Sequence, residues 1–178
     1  FARKAWTDER GTNLLDGGRP WYDNYETSDG QHVSVGPIEP KFYAQLVELV
    51  GLSGENLPKQ NDPAGWTTLR SRLGETFKTR TRAEWTDILE GTDACFAPIL
   101  SVEEAPGHPQ NKARGNFVEI NGVTQPAPTP RFSRTRCSTP GPAARAGQHT
   151  RSTLLQWGFS QADADALIQD NAAVQASV

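Results

Sequence analysis

The chain has 178 residues, 18 basic and 21 acidic side chains, and a net charge of −3, so it offers no electrostatic footprint for a nucleic acid or an anionic membrane. No apolar run approaches the length of a membrane-spanning helix. With 35% hydrophobic residues, 16 glycines and 13 prolines, the core must be modest and the loops many; the length leaves room for one domain, or one small domain with extensions. Cys95 and Cys137 are too few for a disulfide framework and suit a reducing cytoplasm or organelle matrix. The chain has no methionine and opens on Phe1, which places the natural start codon product elsewhere or implies its removal.

Phe1 to Arg10 mixes charge and aromatics without a period and fits the tail of a helix. Asp16-Gly17-Gly18 and Pro20 form a loop able to bring backbone close to another surface, and Trp21, Tyr22 and Tyr25 follow on a first strand. Asp29-Gly30 predicts a two-residue type I′ hairpin turn, with His32 to Val35 as the return strand. Gly36 and Pro37 then end the strand, and Pro40 fits the first turn of a helix, where its missing N–H is not needed. Glu39 therefore falls at or next to the helix N-cap. A carboxylate there faces unpaired amides and the positive end of the helix dipole, which favours its ionised form. Two readings of Glu39 stay open on this ground. It is a capping anion, or it is a fixed anion that holds a histidine in one tautomer and stabilises its cation, as the carboxylate of a catalytic triad does.

Phe42, Tyr43, Leu46, Val47 and Val50 form a two-column helical stripe that Gly51 stops. Asp62-Pro63 opens a second helix carrying Trp66, Leu69 and Leu73. Thr81-x-x-Glu84 is a capping box that opens a third, with Trp85, Ile88 and Leu89 up to Gly91. The aromatics share faces with Leu and Ile, so they read as core. Cys95 to Leu100, interrupted by Pro98, suits an edge strand, with Cys95 as an inert core thiol beside Asp93, which caps or lines a site. Ser101-x-x-Glu104 repeats the capping box and predicts a short helix, with His108-Pro109 marking its end or a following turn. Phe117 to Ile120, Asn121-Gly122 and Val123 to Gln125 predict a second hairpin. Two hairpins around three helices indicate a small α+β unit.

From Pro126 to Gly147 five prolines alternate with Arg131, Arg134, Arg136 and Arg145, predicting an extended strap without hydrogen bonds of its own. The arginines suit a linker facing solvent or a partner; a phosphate is the alternative. Leu154, Leu155 and Trp157 make an apolar patch ended by Gly158, and Ser160-x-x-Asp163 opens an Ala-rich helix through Ile168. The C-terminal helices are expected to be exposed or re-docked. His32, His108 and His149 are isolated from other ligands, which argues against a zinc site, and neither a phosphate-binding glycine loop nor a Gly-x-Ser-x-Gly elbow occurs.

The blocks Gly11 to Tyr25 (GTNLLDGGRPWYDNY), Tyr25 to Tyr43 with its Ile38-Glu39-Pro40, Thr81 to Ala105, Arg114-Gly115 and Gly147-Gln148-His149-Thr150 fall in an order that resembles the α-methylacyl-CoA racemases, within the family III CoA-transferases. The resemblance implies a C-terminal portion of a longer enzyme that inverts the α-carbon of 2-methylacyl-CoA thioesters. Residues 1–20 would be a linker, 21–125 a small domain, and 126–178 a strap and helices returning to a larger domain. It implies that the histidine and aspartate exchanging the α-proton lie upstream, and that Glu39 supports that histidine across an interlocked homodimer. CoA is then part of the substrate, with no separate cofactor or metal. Transferase relatives form an aspartyl-CoA thioester instead, and as an isolated piece the chain would be a non-catalytic dimerisation and binding module.

Overall fold

The structure, a computed structural model, describes residues 6–177. Its contacts gather into two compact units that divide between Glu104 and Ala105. It is an α+β fold: small antiparallel sheets, helices and an extended proline-rich segment. Among the described residues, no helix is long and apolar enough to cross a membrane.

The N-terminal unit is built on a three-stranded antiparallel sheet, β1 (Asp23–Glu26), β2 (His32–Val35) and β3 (Phe96–Ile99), in the order β1-β2-β3. Alternation gives it two faces. Tyr25, Val33 and Val35 are buried on one, while Asn24, Ser34 and Ala97, directly opposite one another across the three strands, lie in a row on the other. Pro98 sits on an edge strand, where its missing N–H breaks no ladder on the outer side. Helices α1 (Pro40–Leu49), α2 (Trp66–Phe77) and α3 (Arg82–Leu89) pack on the apolar face and supply Leu46, Leu69, Leu73, Phe77, Trp85 and Leu89 to the core. A 3-10 turn, Pro63–Gly65, capped by Asp62, precedes α2. Tyr25 stacks on Phe77 at 5.2 Å, and Trp85 meets Phe77 edge-on at 5.3 Å while its indole N–H donates to the Phe77 carbonyl. The capping box of Thr81 and Glu84 is complete in both directions.

The first hairpin corrects one expectation. Its connection runs over residues 27–31, not through a two-residue turn, and only Gly30 takes a positive φ (72°). Asp29 keeps an ordinary backbone because its carboxylate is occupied, accepting from the Thr27 hydroxyl and the Arg82 amide. The helix tail expected over Phe1 to Arg10 lies partly outside the described residues; 6–10 are not helical.

In the C-terminal unit, β4 (Phe117–Ile120) and β5 (Val123–Pro126) pair only with each other. Here both central residues, Asn121 (φ 50°) and Gly122 (φ 76°), adopt the left-handed geometry of a type I′ turn. The helix expected after Ser101 is a turn and a 3-10 segment, Ala105–Gly107, although Ser101 and Glu104 do exchange their capping bonds. His108-Pro109, expected to mark the end of a helix or a following turn, opens a helix instead: α4 (Pro109–Arg114) has His108 as N-cap and Pro109 at its first position. Residues 127–145 contain neither helix nor strand, yet they are tethered. The Ala127 amide donates to the Asn116 carbonyl, and the Arg131 guanidinium donates to the carbonyls of Arg114 and Gly115 and to Asn116 Oδ1. Helices α5 (Thr150–Gln156) and α6 (Gln161–Gln169) follow, joined by an Arg151–Asp165 ion pair and by the returning tail, where the Ala176 amide donates to the Gly147 carbonyl. Leu155 and Trp157 are exposed, as expected of these helices.

Candidate functional site

The segment Gly36-Pro37-Ile38-Glu39-Pro40 joins β2 to α1. Two prolines strip it of amide donors, so it cannot continue the sheet, and its own carbonyls must find donors elsewhere. Its hydrogen-bond partners come from two distant segments. The Gly36 amide donates to the Cys95 carbonyl at 2.8 Å, and the side-chain amide of Gln60 donates to the carbonyls of both Pro37 (3.1 Å) and Ile38 (3.0 Å). Gln60 is 8% exposed, one of few buried polar residues. Its backbone carbonyl accepts from the Trp66 indole, and the Arg19 guanidinium lies over that ring at 4.0 Å.

Glu39 stands at the N-cap of α1 (φ −73°, ψ 138°), with Pro40 behind it. Its carbonyl accepts from the amides of Phe42 and Tyr43, starting the helix. Its carboxylate makes no capping hydrogen bond and is exposed. The backbone of the residue does the capping and leaves the acid available.

Cys95 lies nearby, and its position is a second correction. It is exposed, not in the core, and takes a positive φ of 51° that turns the chain into β3. Partial burial, then the charges of Glu39 and Asp93, push its thiol above the ordinary cysteine range. The thiol is therefore a weak nucleophile, as expected, but its partial burial acts together with two neighbouring anions, of which the sequence placed only Asp93 beside it.

The glycine loop before β1 is held by its own acid. Burial pushes the Asp16 carboxyl up, but donors from the Asn13 side chain and the amides of Asn13, Gly11 and Gly18 outweigh it and hold it low. Gly18 packs so tightly on Gly11 that an added Cβ would collide with the Gly11 carbonyl, which explains why the loop needs glycine there. Arg70 of α2 pairs with Asp23 and donates to the Gly17 carbonyl, tying the loop to β1. Loop, open sheet face and the Gly36/Cys95 corner line a cavity of about 380 Å³, with Asp16, Ser34, Gly36 and Cys95 among its walls. Glu39 follows Gly36 by three residues.

The three histidines stay apart: His32 is exposed on β2, while His108 and His149 occupy N-cap positions of α4 and α5. Among the described residues, no three His, Cys, Asp or Glu side chains gather as a metal site requires. Arg131 is committed to backbone carbonyls, so a structural use absorbs it. Sequence reasoning reached Glu39 and the glycine loop but not Gln60 or Arg70. Each acts 22 to 53 positions away from its partner, and no local motif marks either.

A model of the CoA-transferase family III matches residues 3–150. The chain is 42% identical over 161 residues to the alpha-methylacyl-CoA racemase of Mus musculus, covering 88% of this chain and 42% of that protein. It is 37% identical to the alpha-methylacyl-CoA racemase of Homo sapiens, covering 93% of this chain and 45% of that one. It thus spans less than half the length of these curated relatives. A more distant relative, the succinyl-CoA:glutarate CoA-transferase of Mus musculus, is 25% identical over 76% of the chain. Among solved structures, a CAIB/BAIF family protein from Brucella suis superposes with a TM-score of 0.68 at 18% identity, over 87% of this chain and 42% of that one, and shares its fold.

Proposed function

This chain belongs to the CoA-transferase family III, and from that premise we propose that it is part of a racemase that inverts the α-carbon of 2-methylacyl-CoA thioesters. The observation that carries the reading is the 42% and 37% identity to two proteins named as alpha-methylacyl-CoA racemases, each along about nine-tenths of the chain. In this reading one base removes the proton next to the thioester carbonyl, an enolate forms, and an acid on the opposite face returns a proton. Those two groups, a histidine and an aspartate, belong to a larger domain outside these 178 residues. Residues 21–125 serve as the small domain, 1–20 lead into it, and 126–178 run back to the larger one.

Glu39 supports the histidine. It fixes the tautomer and stabilises the imidazolium, across the interface of an interlocked homodimer. The free, exposed carboxylate at the N-cap favours this role over capping, because a capping acid would spend its oxygens on the first-turn amides. The test is α-proton exchange in deuterated buffer by the full-length protein. Glu39→Gln is expected to lower the exchange rate by roughly two orders of magnitude with thioester binding nearly intact. An unchanged rate returns Glu39 to a helix-starting role.

A further inference from the structure

We infer that Gln60 is a positioning residue for Glu39, holding the backbone that aims its carboxylate; the inference rests on the role proposed above for that acid. Three observations carry it. First, Pro37 just before Glu39 and Pro40 just after it lack amide hydrogens, so the chain has few amide hydrogen bonds of its own with which to fix its geometry there. Second, Gln60 supplies the missing donor twice, to the two carbonyls directly preceding Glu39, and does so from a buried position, where breaking the pair leaves acceptors unsatisfied. Third, Gln60 is itself held: the Trp66 indole donates to its carbonyl, and the Arg19 guanidinium covers Trp66. Pro37, whose carbonyl Gln60 holds, is itself fully buried.

Nothing in a helix start requires this arrangement. Helix α1 begins from the Glu39 carbonyl and the Pro40 ring, whereas the Gln60 amide donates to the carbonyls of Pro37 and Ile38. What Gln60 adds is a fixed exit from β2, and so a fixed origin for the Glu39 side chain. Carboxylate and imidazole must align to within a fraction of an ångström for the acid to select a tautomer.

The experiment is a double-mutant cycle in the full-length protein, with Gln60→Met removing the donor at similar length and Gln60→Asn withdrawing it by one methylene. With Glu39 present, Gln60→Met is expected to lower kcat for α-proton exchange roughly ten-fold, less than the roughly hundred-fold that a misplacement of about 1 Å can cost, with KM little changed. In the Glu39→Gln background it should lower kcat hardly further, because the group it positions is gone. Equal factors in the two backgrounds would overturn the inference and make Gln60 a general packing residue.

A second measurement does not depend on turnover. In a Cys137→Ser background, the pH dependence of Cys95 alkylation reads the charges of Glu39 and Asp93 at the thiol. Glu39→Gln should move the alkylation midpoint downward, and Gln60→Met and Gln60→Asn should each move it in the same direction by part of that shift. A midpoint unmoved by both Gln60 variants, where Glu39→Gln moves it, sinks the inference even if both fold. Absence of α-proton exchange in the wild-type protein would sink the racemase reading instead, and the alkylation series would still decide whether Gln60 places the Glu39 charge.

Discussion

The residues around Thr81 and those around Ser101, where the N-terminal unit ends, begin from the same local signals and end differently. Thr81-x-x-Glu84 and Ser101-x-x-Glu104 both close reciprocal capping bonds. The first opens an eight-residue helix, the second only a turn. The difference lies in the residues beyond the cap. Trp85 and Leu89 bury themselves on α3, whereas Val102 is 90% exposed and Glu104 turns away to pair with Arg82. Among the described residues, every buried hydrophobic side chain except Ala164 precedes Glu104. The later residues are held by caps, by Arg131 on carbonyls and by the tail folding back on Gly147. A cap starts a helix; burial sustains one, since an isolated short helix is marginal in water.

The comparison is most easily broken in the core. Leu73, fully buried on α2, belongs to the apolar cluster that joins sheet to helices. Leu73→Ala is expected to cost about 2–5 kcal/mol, from lost transfer energy and the cavity left behind, measured by urea unfolding followed through tryptophan fluorescence. A cost below about 1 kcal/mol, the range of a surface change, would mean that the N-terminal unit is no better packed than the C-terminal one.

Acid should reveal the same asymmetry on a smaller scale. Glu104 is drawn down to about 2 by the Arg82 guanidinium, then by the Ser101 amide. Because its folded pKa lies below its unfolded value, its contribution to stability is complete above the unfolded pKa near 4.5 and is lost as pH falls from there towards 2. Asp16, Glu26, Asp29, Glu55 and Glu84, also held low, lie in the same unit. Glu104→Gln should flatten the stability profile between those pH values, with the difference nearly gone by pH 2, and added salt should shrink it, because the Glu104 carboxylate faces solvent. Identical profiles for wild type and variant would show that the Arg82–Glu104 pair carries no acid sensitivity.

Much of the fold was legible because its signals are local. Pro40 placed Glu39 at the helix start, Thr81 and Glu84 announced α3, and Asn121-Gly122 marked a turn whose positive φ values few other residue pairs tolerate. The same signals misled where a distant group competed for a side chain. Asp29 was diverted by Thr27 and Arg82, and Glu104 by Arg82. His108-Pro109 reads equally well as a stop or a start, and what precedes it, a 3-10 turn rather than an α-helix, decides. Gln60 and Arg70 were invisible for the same reason that they matter: each meets its partner across the fold, far from it in the chain. The cavity likewise needs strand register, since Asn24, Ser34 and Ala97 share a row only once three strands pair.

The smallest expected effect lies at the apolar patch of the C-terminal helices. Trp157 is 77% exposed, and it closes the end of α5 only through its backbone amide, which donates to the Thr153 and Leu154 carbonyls. A side chain with so little area removed from water has little transfer energy to lose. Trp157→Ser should therefore change the stability of this chain by no more than about 0.5 kcal/mol, in the same unfolding measurement used for Leu73→Ala. Serine retains the amide, so the helix end is kept, and the change isolates the indole. A cost of several kcal/mol would place Trp157 in a buried contact and would erase the distinction between a unit organised by its core and one organised by its backbone caps. A cost near zero, set beside the loss at Leu73, gives that distinction its sharpest form: two apolar residues of one chain, separated in effect only by how much water each has left behind.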